Sequence, residues 1–80
     1  MYYYVYVLEC ADGSLYTGLT TDPERRVREH NSGKASKYTR SKLPVKLVYC
    51  ETVDDKSQAL KREYAIKQLP RNEKLELISR

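Results

Sequence analysis

Hydrophobic residues near the start of the chain predict two strands. Residues 2–10 are rich in tyrosine and valine, which suit a pleated strand. Both faces of this first strand are largely apolar, so we predict that it lies in the centre of a sheet and is covered on both sides. Residues 14–20 predict the second strand, after a turn at residues 11–13.

The turn between these strands has two interpretations. A two-residue turn at Asp12 and Gly13 would place Tyr6 opposite Leu19. A three-residue loop with Gly13 in the left-handed conformation would place Tyr6 opposite Gly18. A slip of one residue moves every side chain to the other face of the sheet, so the choice decides which residues share a face.

A helix is predicted directly after the second strand, with two candidate N-caps. Asp22 would put Pro23 at the favoured first position, whereas Thr21 would form a capping box with Glu24. The helix is predicted to end near residue 31 or 32, where Gly33 supplies a C-cap. It carries one strongly apolar residue, so we expect it to bury little apolar surface and to expose most of its side chains.

The remaining chain predicts one more strand and two more helices. Residues 34–44 are predicted to form a basic, flexible loop, and residues 45–52 a third strand. A second helix opens at residues 54–57 and runs to about residue 69. Residues 71–79 predict a last helix with Leu75 and Ile78 facing inward. The predicted class is α+β, in the order β-β-α-β-α-α, within one domain spanning residues 1–80. The apolar stripe of the second helix consists of Ala59, Leu60, Tyr64, Ile66 and Leu69.

The chain carries a net charge of +4, and its positive charge is concentrated in one segment. Residues 25–46 contain eight bases against one acid, Glu29, which is a net charge of +7 and leaves −3 for the rest of the chain. Such a segment favours a polyanionic partner, although a solvated face has the same composition. The eight bases are Arg25, Arg26, Arg28, Lys34, Lys37, Arg40, Lys42 and Lys46.

Cysteine usage and hydropathy exclude several classes of protein. Cys10 and Cys50 have neither CxxC spacing nor a histidine-rich neighbourhood, so the sequence argues against a zinc site. We expect both to be reduced and to lie as small buried hydrophobes on adjacent strands. No apolar run reaches the roughly 20 residues of a membrane span, and no basic region precedes an apolar core as in a signal peptide. We therefore expect a cytoplasmic protein without a membrane partner.

Two tyrosine tripeptides and a helix motif carry a resemblance to a known family. The tripeptides are Tyr4-Val5-Tyr6 and Tyr16-Thr17-Gly18. The helix motif is Arg26, then His30 four residues on, followed by Asn-x-Gly at residues 31–33. Over nearly the whole chain these motifs resemble the GIY-YIG nuclease superfamily, and in particular its small stand-alone bacterial, YhbQ-like branch. The resemblance implies a three-stranded antiparallel sheet flanked by helices.

The resemblance also selects one of the two registers. A site shared by Tyr6 and Tyr16 requires both side chains on one face, which the three-residue loop provides by placing Leu8 opposite Tyr16. Gly18 would then leave room for a ring or a phosphate over the strand. The family assigns water activation and phosphate contact to the tyrosines that match Tyr6 and Tyr16. Five other tyrosines are expected to pack in the core: Tyr2, Tyr3, Tyr4, Tyr49 and Tyr64.

Arg26 and His30 lie four residues apart on the predicted helix and therefore share a face. A guanidinium matches the charged oxygens of a phosphodiester under attack, and an imidazole accepts or relays a proton near neutral pH. Such a pair is common on polar helices, so it carries weight because the two tripeptides accompany it. Free tyrosine titrates at about pH 10, so a base role for Tyr6 needs Arg26 or His30 beside it.

The resemblance places a metal-binding glutamate in the second long helix, at Glu63. One carboxylate with several waters suits Mg²⁺, or Mn²⁺ in its place. Taken alone, a surface pair of Glu63 with Lys67 is the simpler interpretation. We expect Glu63 to face inward because it is placed on the side of Leu60 and Tyr64. Asn72 is the only candidate for the asparagine that follows the glutamate in many family members, and its spacing is short.

Together with these residues, the resemblance implies a metal-dependent endonuclease that hydrolyses nucleic-acid phosphodiester bonds. We expect a monomer that acts on DNA rather than RNA, with low sequence specificity because one domain offers few base contacts. The alternative is a nucleic-acid-binding module of the same fold with negligible turnover. The predicted catalytic residues are Tyr6, Tyr16, Arg26 and His30, with Gly18 as a structural residue and Glu63 as the metal ligand. The residues predicted to bind nucleic acid are Arg25, Arg28, Lys34, Lys37, Arg40 and Lys42.

Overall fold

A computed structural model describes residues 2–79 of the chain. Three strands form one antiparallel sheet in the order β2-β1-β3: β1 (Tyr3–Glu9), β2 (Leu15–Thr20) and β3 (Lys46–Val53). In this part of the chain the helices are α1 (Pro23–Asn31), α2 (Lys37–Arg40), α3 (Lys56–Lys67) and α4 (Arg71–Ile78). The predicted α+β class and the central position of the first strand are confirmed. Within residues 2–79, no helix combines the length and the apolar character needed to cross a membrane.

Alternate residues of β1 belong to two separate cores. On one face, which we call the α3–α4 face, Val5 and Val7 are fully buried against Ala59 and Ile66 of α3 and Leu77 of α4. On the opposite face, which we call the α1 face, a second cluster is packed against Val27 of α1. The buried members of this second cluster are Tyr6, Leu8, Cys10 and Val45.

The loop between β1 and β2 sets the register of the sheet. Gly13 has a φ of +86°, a conformation that glycine adopts without strain. The backbone amide of Cys10 donates a hydrogen bond of 2.8 Å to the carbonyl of Ser14, which closes a three-residue loop. Tyr6 therefore lies opposite Gly18, and the three-residue interpretation of the turn is confirmed.

Helix α1 begins as one of the two capping interpretations predicted. The Asp22 side chain accepts a hydrogen bond of 3.2 Å from the backbone amide of Arg25, and Pro23 occupies the first helical position. A proline suits this position because its missing N–H would have no helical partner there. Asp22, rather than Thr21, is the N-cap.

The other end of α1 is joined by one side chain to Val45, the residue directly before β3. Asn31 donates from Nδ2 to the carbonyl of Val45 at 3.1 Å, and its Oδ1 accepts from the backbone amide of Val45 at 2.7 Å. This pair of hydrogen bonds, the Asn31 clamp, holds a helix that has little apolar surface of its own. The clamp thereby fixes the end of α1 against the sheet.

The prediction of a flexible loop over residues 34–44 is wrong, because these residues contain helix α2. Ser36 is its N-cap and accepts a hydrogen bond of 3.2 Å from the backbone amide of Tyr38. Thr39 is fully buried. A helix of four residues is too short to show a hydrophobic period, so hydrophobic periodicity gave no sign of this helix.

The predicted stripe of α3 is wrong in part. Ala59 and Ile66 are fully buried, whereas Leu60 and Tyr64 are 48% and 67% exposed. Ala59 and Ile66 are seven residues apart, so they lie on one face of the helix together with the half-buried Glu63 between them. The inward face therefore includes a charged residue, while two large apolar side chains face outward.

Three further burial predictions are wrong. Leu77, rather than Leu75, is the buried leucine of α4, and Leu75 is 42% exposed. Tyr2 was expected in the core but is exposed. Cys10 is buried as predicted, whereas Cys50 is exposed, and both are free thiols. Cys50 lies on β3, an edge strand whose outer positions the rest of the fold covers less completely.

Candidate active site

The candidate site is built around the hydroxyl group of Tyr6, on the α1 face. The Tyr6 side chain is almost fully buried. Its oxygen lies 3.0 Å from Nε2 of His30 and accepts a hydrogen bond of 3.4 Å from Nε of Arg26. Strand β1 thus delivers one hydroxyl group to two side chains that lie one turn apart on α1.

Gly18 makes room for the Tyr6 ring. A Cβ atom at position 18 would lie 2.5 Å from the Tyr6 hydroxyl oxygen and 2.7 Å from the ring carbon that bears it. Any larger residue at this cross-strand position would push the ring away from His30. The missing side chain leaves space for a ring, which is one of the two occupants that the sequence analysis considered.

Tyr16 lies on the same face of the sheet as Tyr6. The centres of the two rings are 6.4 Å apart. The Tyr16 ring also meets the imidazole of His30 edge-on, with 5.1 Å between the ring centres. The register brings both predicted tyrosines, with Arg26 and His30, into one cluster, and the half-buried Tyr16 is its more accessible tyrosine.

His30 is fully enclosed and contacts a polar group at each ring nitrogen. Nε2 faces Tyr6, and Nδ1 lies 2.8 Å from Oγ1 of Thr39 in α2. The imidazole is 0% exposed. A buried histidine with both nitrogens paired is held in one orientation, since any rotation would leave a polar atom without a partner.

Burial sets the protonation states of the two central groups. Loss of hydration raises the pKa of Tyr6, although its hydrogen bond to Arg26 acts in the opposite direction. Burial also lowers the pKa of His30, and the positive charge of Arg26 lowers it further. At neutral pH the site therefore holds an uncharged phenol beside an uncharged imidazole, and the imidazole is able to accept a proton.

Arg26 connects the buried cluster to the surface. Its side chain is 31% exposed, and Nη1 donates a hydrogen bond of 3.0 Å to a carboxylate oxygen of Glu29. Its hydrogen bonds to Tyr6 and Glu29 raise its pKa, so the guanidinium stays charged. A charged guanidinium that is partly exposed is suited to binding a phosphate.

Glu63 is shielded, although not for the predicted reason. Leu60 and Tyr64 face solvent, and the Glu63 side chain is only 19% exposed because it lies on the inward face of α3. Lys67 Nζ is 3.7 Å from its carboxylate, as the simpler interpretation predicted. Burial, Arg26 and Tyr16 have the largest effects on the pKa of Tyr6, and the negative charge of Glu63 raises it by a smaller amount. The carboxylate therefore lies within electrostatic range of the site.

The donor set at Glu63 limits which metal would fit. Among residues 2–79, no three or more histidine, cysteine, aspartate and glutamate side chains converge. Zinc takes three or four protein ligands and does not fit a single carboxylate. Mg²⁺ keeps several waters and binds through one or two carboxylates, so it fits Glu63. Asn72, on α4, is exposed.

Helix α2 contributes two residues that the sequence analysis missed. Tyr38 stacks on Tyr16, with 5.9 Å between ring centres and 28° between the planes. Thr39 reaches His30 from the same helix. The one local signal was Ser36, a residue type favoured at N-caps. Their contacts to the site depend on the tertiary position of α2, which no local pattern reports.

Five of the six predicted nucleic-acid-binding residues are exposed, Lys42 is half-buried, and three of the six line one cleft. Lys34, Lys37 and Arg40 surround a surface cleft of about 400 Å³ together with Ser36. All three are exposed. Cationic side chains around a shallow cleft provide a suitable surface for a phosphate backbone.

The other three predicted basic residues lie outside this cleft. Arg25 Nε is 3.7 Å from a carboxylate oxygen of Glu29. Lys42 places Nζ 4.1 Å from the centre of the Tyr38 ring, within the range of a cation–π contact. Arg28 is exposed on α1. The structure therefore divides the predicted basic segment between one cleft and its surroundings.

A second cleft, of about 280 Å³, opens beside Tyr16 and was not predicted. It is lined by Tyr16, Tyr38, Lys67 and Lys74, with Leu15 and Thr17 of β2. Lys67 and Lys74 lie on α3 and α4, whose position against β2 is set by tertiary packing. This cleft adds two amino groups to the accessible side of the cluster.

Comparison with protein families identifies one match over most of the chain. The profile described as the GIY-YIG catalytic domain matches residues 2–76. A UPF0213 protein of Haloquadratum walsbyi is 58% identical over 76 residues, which cover 95% of this chain and 85% of that protein. A UPF0213 protein of Staphylococcus saprophyticus is 54% identical over 77 residues, which cover 96% of this chain and 94% of that protein.

Solved structures with the same fold come from similar proteins. The solution NMR structure of a UPF0213 protein of Bacillus halodurans is 49% identical and has a TM-score of 0.64, covering 99% of this chain and 84% of that chain. The solution NMR structure of the protein EF2693 of E. faecalis is also 49% identical and has a TM-score of 0.63, covering 92% and 79%. The chain and these neighbours share one fold.

Proposed function

Because this chain belongs to the GIY-YIG catalytic domain family, whose members are generally nucleases, we propose that it is a metal-dependent endonuclease that hydrolyses phosphodiester bonds with low sequence specificity. The observation that carries this proposal is the 3.0 Å contact between the Tyr6 oxygen and His30 Nε2, with Arg26 on the same oxygen. The cluster pairs a proton acceptor with an anion-binding group.

Tyr6 and His30 activate the attacking water together. The Tyr6 oxygen takes a proton from the water while its own proton passes to His30 Nε2. The water oxygen forms a bond to phosphorus, the bond from phosphorus to the leaving oxygen breaks, and the leaving oxygen takes a proton from solvent. Transfer through His30 is required because burial raises the pKa of Tyr6, so a free phenolate does not form at neutral pH.

Arg26 and Tyr16 hold the phosphate. The hydrogen bond from Arg26 to Tyr6 is long, at 3.4 Å, and the guanidinium is partly exposed. Turning the guanidinium towards a phosphate would uncover the Tyr6 hydroxyl and leave it free to contact the water. Arg26 would then stabilise the negative charge that develops on the non-bridging oxygens.

Glu63 is the residue that would hold the metal ion. A bound Mg²⁺ or Mn²⁺ would supply positive charge that polarises the scissile phosphate. The fit rests on a shielded carboxylate within electrostatic range of Tyr6. Lys67 Nζ lies 3.7 Å from one oxygen of this carboxylate, so its ammonium group would compete with a metal ion for the same negative charge.

The substrate is a nucleic acid, which we take to be DNA rather than RNA. The cleft lined by Lys34, Lys37 and Arg40 supports this partner because its side chains carry positive charge at an exposed surface. We further propose that the protein works as a monomer in the cytoplasm. Low sequence specificity follows because phosphate contacts position a nucleic acid without reading its bases.

Two observations favour a second candidate, a binding module without turnover. Tyr6 is only 1% exposed, and Glu63 is paired with Lys67. If Tyr6 stayed buried and Glu63 stayed paired with Lys67 in the complex with nucleic acid, no water would reach the Tyr6 oxygen and no metal would reach Glu63. The basic cleft would still bind nucleic acid.

Single-turnover cleavage of labelled oligonucleotides distinguishes the two candidates. We expect cleavage with Mg²⁺ or Mn²⁺, none with EDTA, and none by Glu63→Gln, which keeps the size of the side chain but removes its charge. Glu73→Gln, an exposed position on α4, is the matched control and should cleave normally. Binding without cleavage by the wild-type protein, across DNA and RNA substrates, would establish the binding module instead.

A further inference from the structure

His30 is held between two hydroxyl groups, and only one of them belongs to the proposed reaction. Nε2 faces the Tyr6 hydroxyl at 3.0 Å, and Nδ1 faces Oγ1 of Thr39 at 2.8 Å. Both His30 and Thr39 are 0% exposed. The proposed reaction needs Nε2 as a proton acceptor, so the proton of the neutral imidazole must lie on Nδ1.

A third group determines the direction of the hydrogen bond between Thr39 and His30. Oγ1 of Thr39 lies 3.3 Å from the backbone carbonyl oxygen of Ser36. A carbonyl oxygen only accepts, so the Thr39 hydroxyl donates to it. The lone pairs of Oγ1 then accept from Nδ1–H of His30, which leaves Nε2 free to accept from the Tyr6 hydroxyl.

The opposite arrangement leaves a buried hydrogen without a partner. If Nε2 of His30 carried the proton, it would donate to the Tyr6 oxygen, which already accepts from Arg26 Nε. The Tyr6 hydrogen would then have no acceptor among the contacts of its oxygen in residues 2–79. Tyr6 is 1% exposed, so solvent does not offer one.

We propose that Thr39 is a positioning residue that holds His30 in the Nδ1–H tautomer and so keeps Nε2 ready to accept the proton of Tyr6. Its role in cleavage rests on the proposed function, whereas the tautomer itself does not. Thr39 contacts neither the substrate nor the reacting atoms; it acts through the imidazole.

This role gives a reason for the helical turn of α2 within the basic segment. Ser36 caps the turn through its side chain, and its carbonyl oxygen accepts from the backbone amide of Arg40 at 3.0 Å as well as from Thr39. The same turn therefore fixes the hydroxyl of Thr39 at the position that His30 requires. A flexible loop would not hold it there.

The test measures the tautomer directly, because His30 is the only histidine of the chain. Long-range ¹H–¹⁵N NMR spectra of the wild-type imidazole should show a protonated Nδ1 and an unprotonated Nε2. Thr39→Val keeps the shape of the side chain but removes the hydroxyl, and both nitrogen shifts should move towards intermediate values. Thr39→Ser keeps the hydroxyl and should restore the wild-type spectrum, with backbone spectra confirming the fold of each variant.

Cleavage provides the second readout. Single-turnover cleavage by Thr39→Val should fall by roughly 10- to 100-fold, the scale seen when a partner that orients an active-site histidine is lost. Thr39→Ser should recover most of this loss. If the role of Thr39 were purely structural, the Thr39→Val protein would cleave slowly or be unstable, but its folded fraction would retain the wild-type tautomer of His30.

The outcomes separate this inference from the proposed function. A wild-type spectrum with the proton on Nε2 overturns the inference without any variant. An unchanged tautomer and rate in folded Thr39→Val overturn it as well. The predicted spectra together with no cleavage by the wild-type protein would support the assignment of the tautomer and would reject the nuclease proposal alone.

Discussion

The two faces of the sheet use the same central strand for different purposes. On the α3–α4 face, Val5 and Val7 meet apolar side chains and form a conventional core. Tyr6 lies between these two valines in the sequence and points to the α1 face. There it belongs to a buried network of polar groups with His30. The comparison teaches that full burial alone does not distinguish a core from a site; the pairing of the buried polar groups does.

The largest expected effect compares two tyrosine hydroxyls, one on each face. Tyr6→Phe should lower cleavage by roughly 10²- to 10⁴-fold, the usual contribution of a positioned proton-transfer group. Tyr49→Phe should leave cleavage unchanged, although it removes a hydrogen bond of 2.6 Å to Glu51 on the α3–α4 face. Single-turnover rates measure both, and equal losses would mean that the two faces do not differ in function.

The second effect compares two arginines that each bind a carboxylate. Arg26→Lys keeps the charge but loses the forked donor geometry, so cleavage should fall by roughly 100-fold or more. Arg62→Lys makes the same change where Arg62 Nε meets Glu51 at 2.8 Å and should not alter the cleavage rate. If Arg26→Lys cleaves as fast as Arg62→Lys, then the Arg26 guanidinium does not stabilise the transition state.

The third effect is a loss of free energy of unfolding caused by a substitution on the α3–α4 face. Ile66 is fully buried, and Ile66→Ala should lower the free energy of unfolding by about 2–5 kcal/mol through lost burial and the remaining cavity. Urea unfolding measures the loss. The rate of cleavage by the folded protein should not change, and a large fall in that rate under folding conditions would show that the two faces are coupled.

The fourth effect concerns the basic cleft. Replacing Lys34 and Lys37 together by Ala should flatten the log-log dependence of binding on salt by about 1–2 units, near one for each lost phosphate contact. Lys56 and Lys61, exposed on α3, give a matched double variant with the same charge and no expected change in slope. Altered sequence preference at an unchanged slope would instead mean that Lys34 and Lys37 contact bases.

The smallest effect is a pH dependence that only the α1 face should show. Burial lowers the pKa of His30 in the folded protein below the unfolded value of about 6.5. The unfolded state therefore binds more protons in this window, and the free energy of unfolding should fall as pH drops from about 7 to 5.5. Urea titrations of His30→Gln should lack this dependence, and an identical slope in both proteins would assign it to other groups.

Local patterns limited the sheet register and the N-cap of α1 to two alternatives each, and the resemblance to the GIY-YIG family chose between the registers. The register follows from a left-handed Gly13 and from Gly18, which makes room for the Tyr6 ring. The N-cap at Asp22 follows from the proline behind it. In each case a conformational preference of one or two residues favours the observed alternative, although the sequence pattern alone did not choose it.

The features that the sequence analysis predicted wrongly or missed have a common physical origin. The apolar residues of α3 are spread around the helix, so its pattern does not choose between Leu60 and Ile66; packing against the sheet decides. The burial of Thr39 depends on His30, which is nine residues away. The contacts of Lys67 and Lys74 beside Tyr16 require the tertiary arrangement of three elements. None of these relations leaves a period in the sequence.

The Asn31 clamp makes it possible to measure how often the candidate site opens. The amide hydrogen of Val45 is bonded to the Asn31 side chain rather than to a neighbouring strand, so it exchanges with solvent only when the end of α1 departs from the sheet. His30 precedes Asn31 directly, so the same departure withdraws the imidazole from Tyr6. The lifetime of the Val45 amide proton, directly before β3, thus measures how often the assembled site opens while the α3–α4 face remains folded.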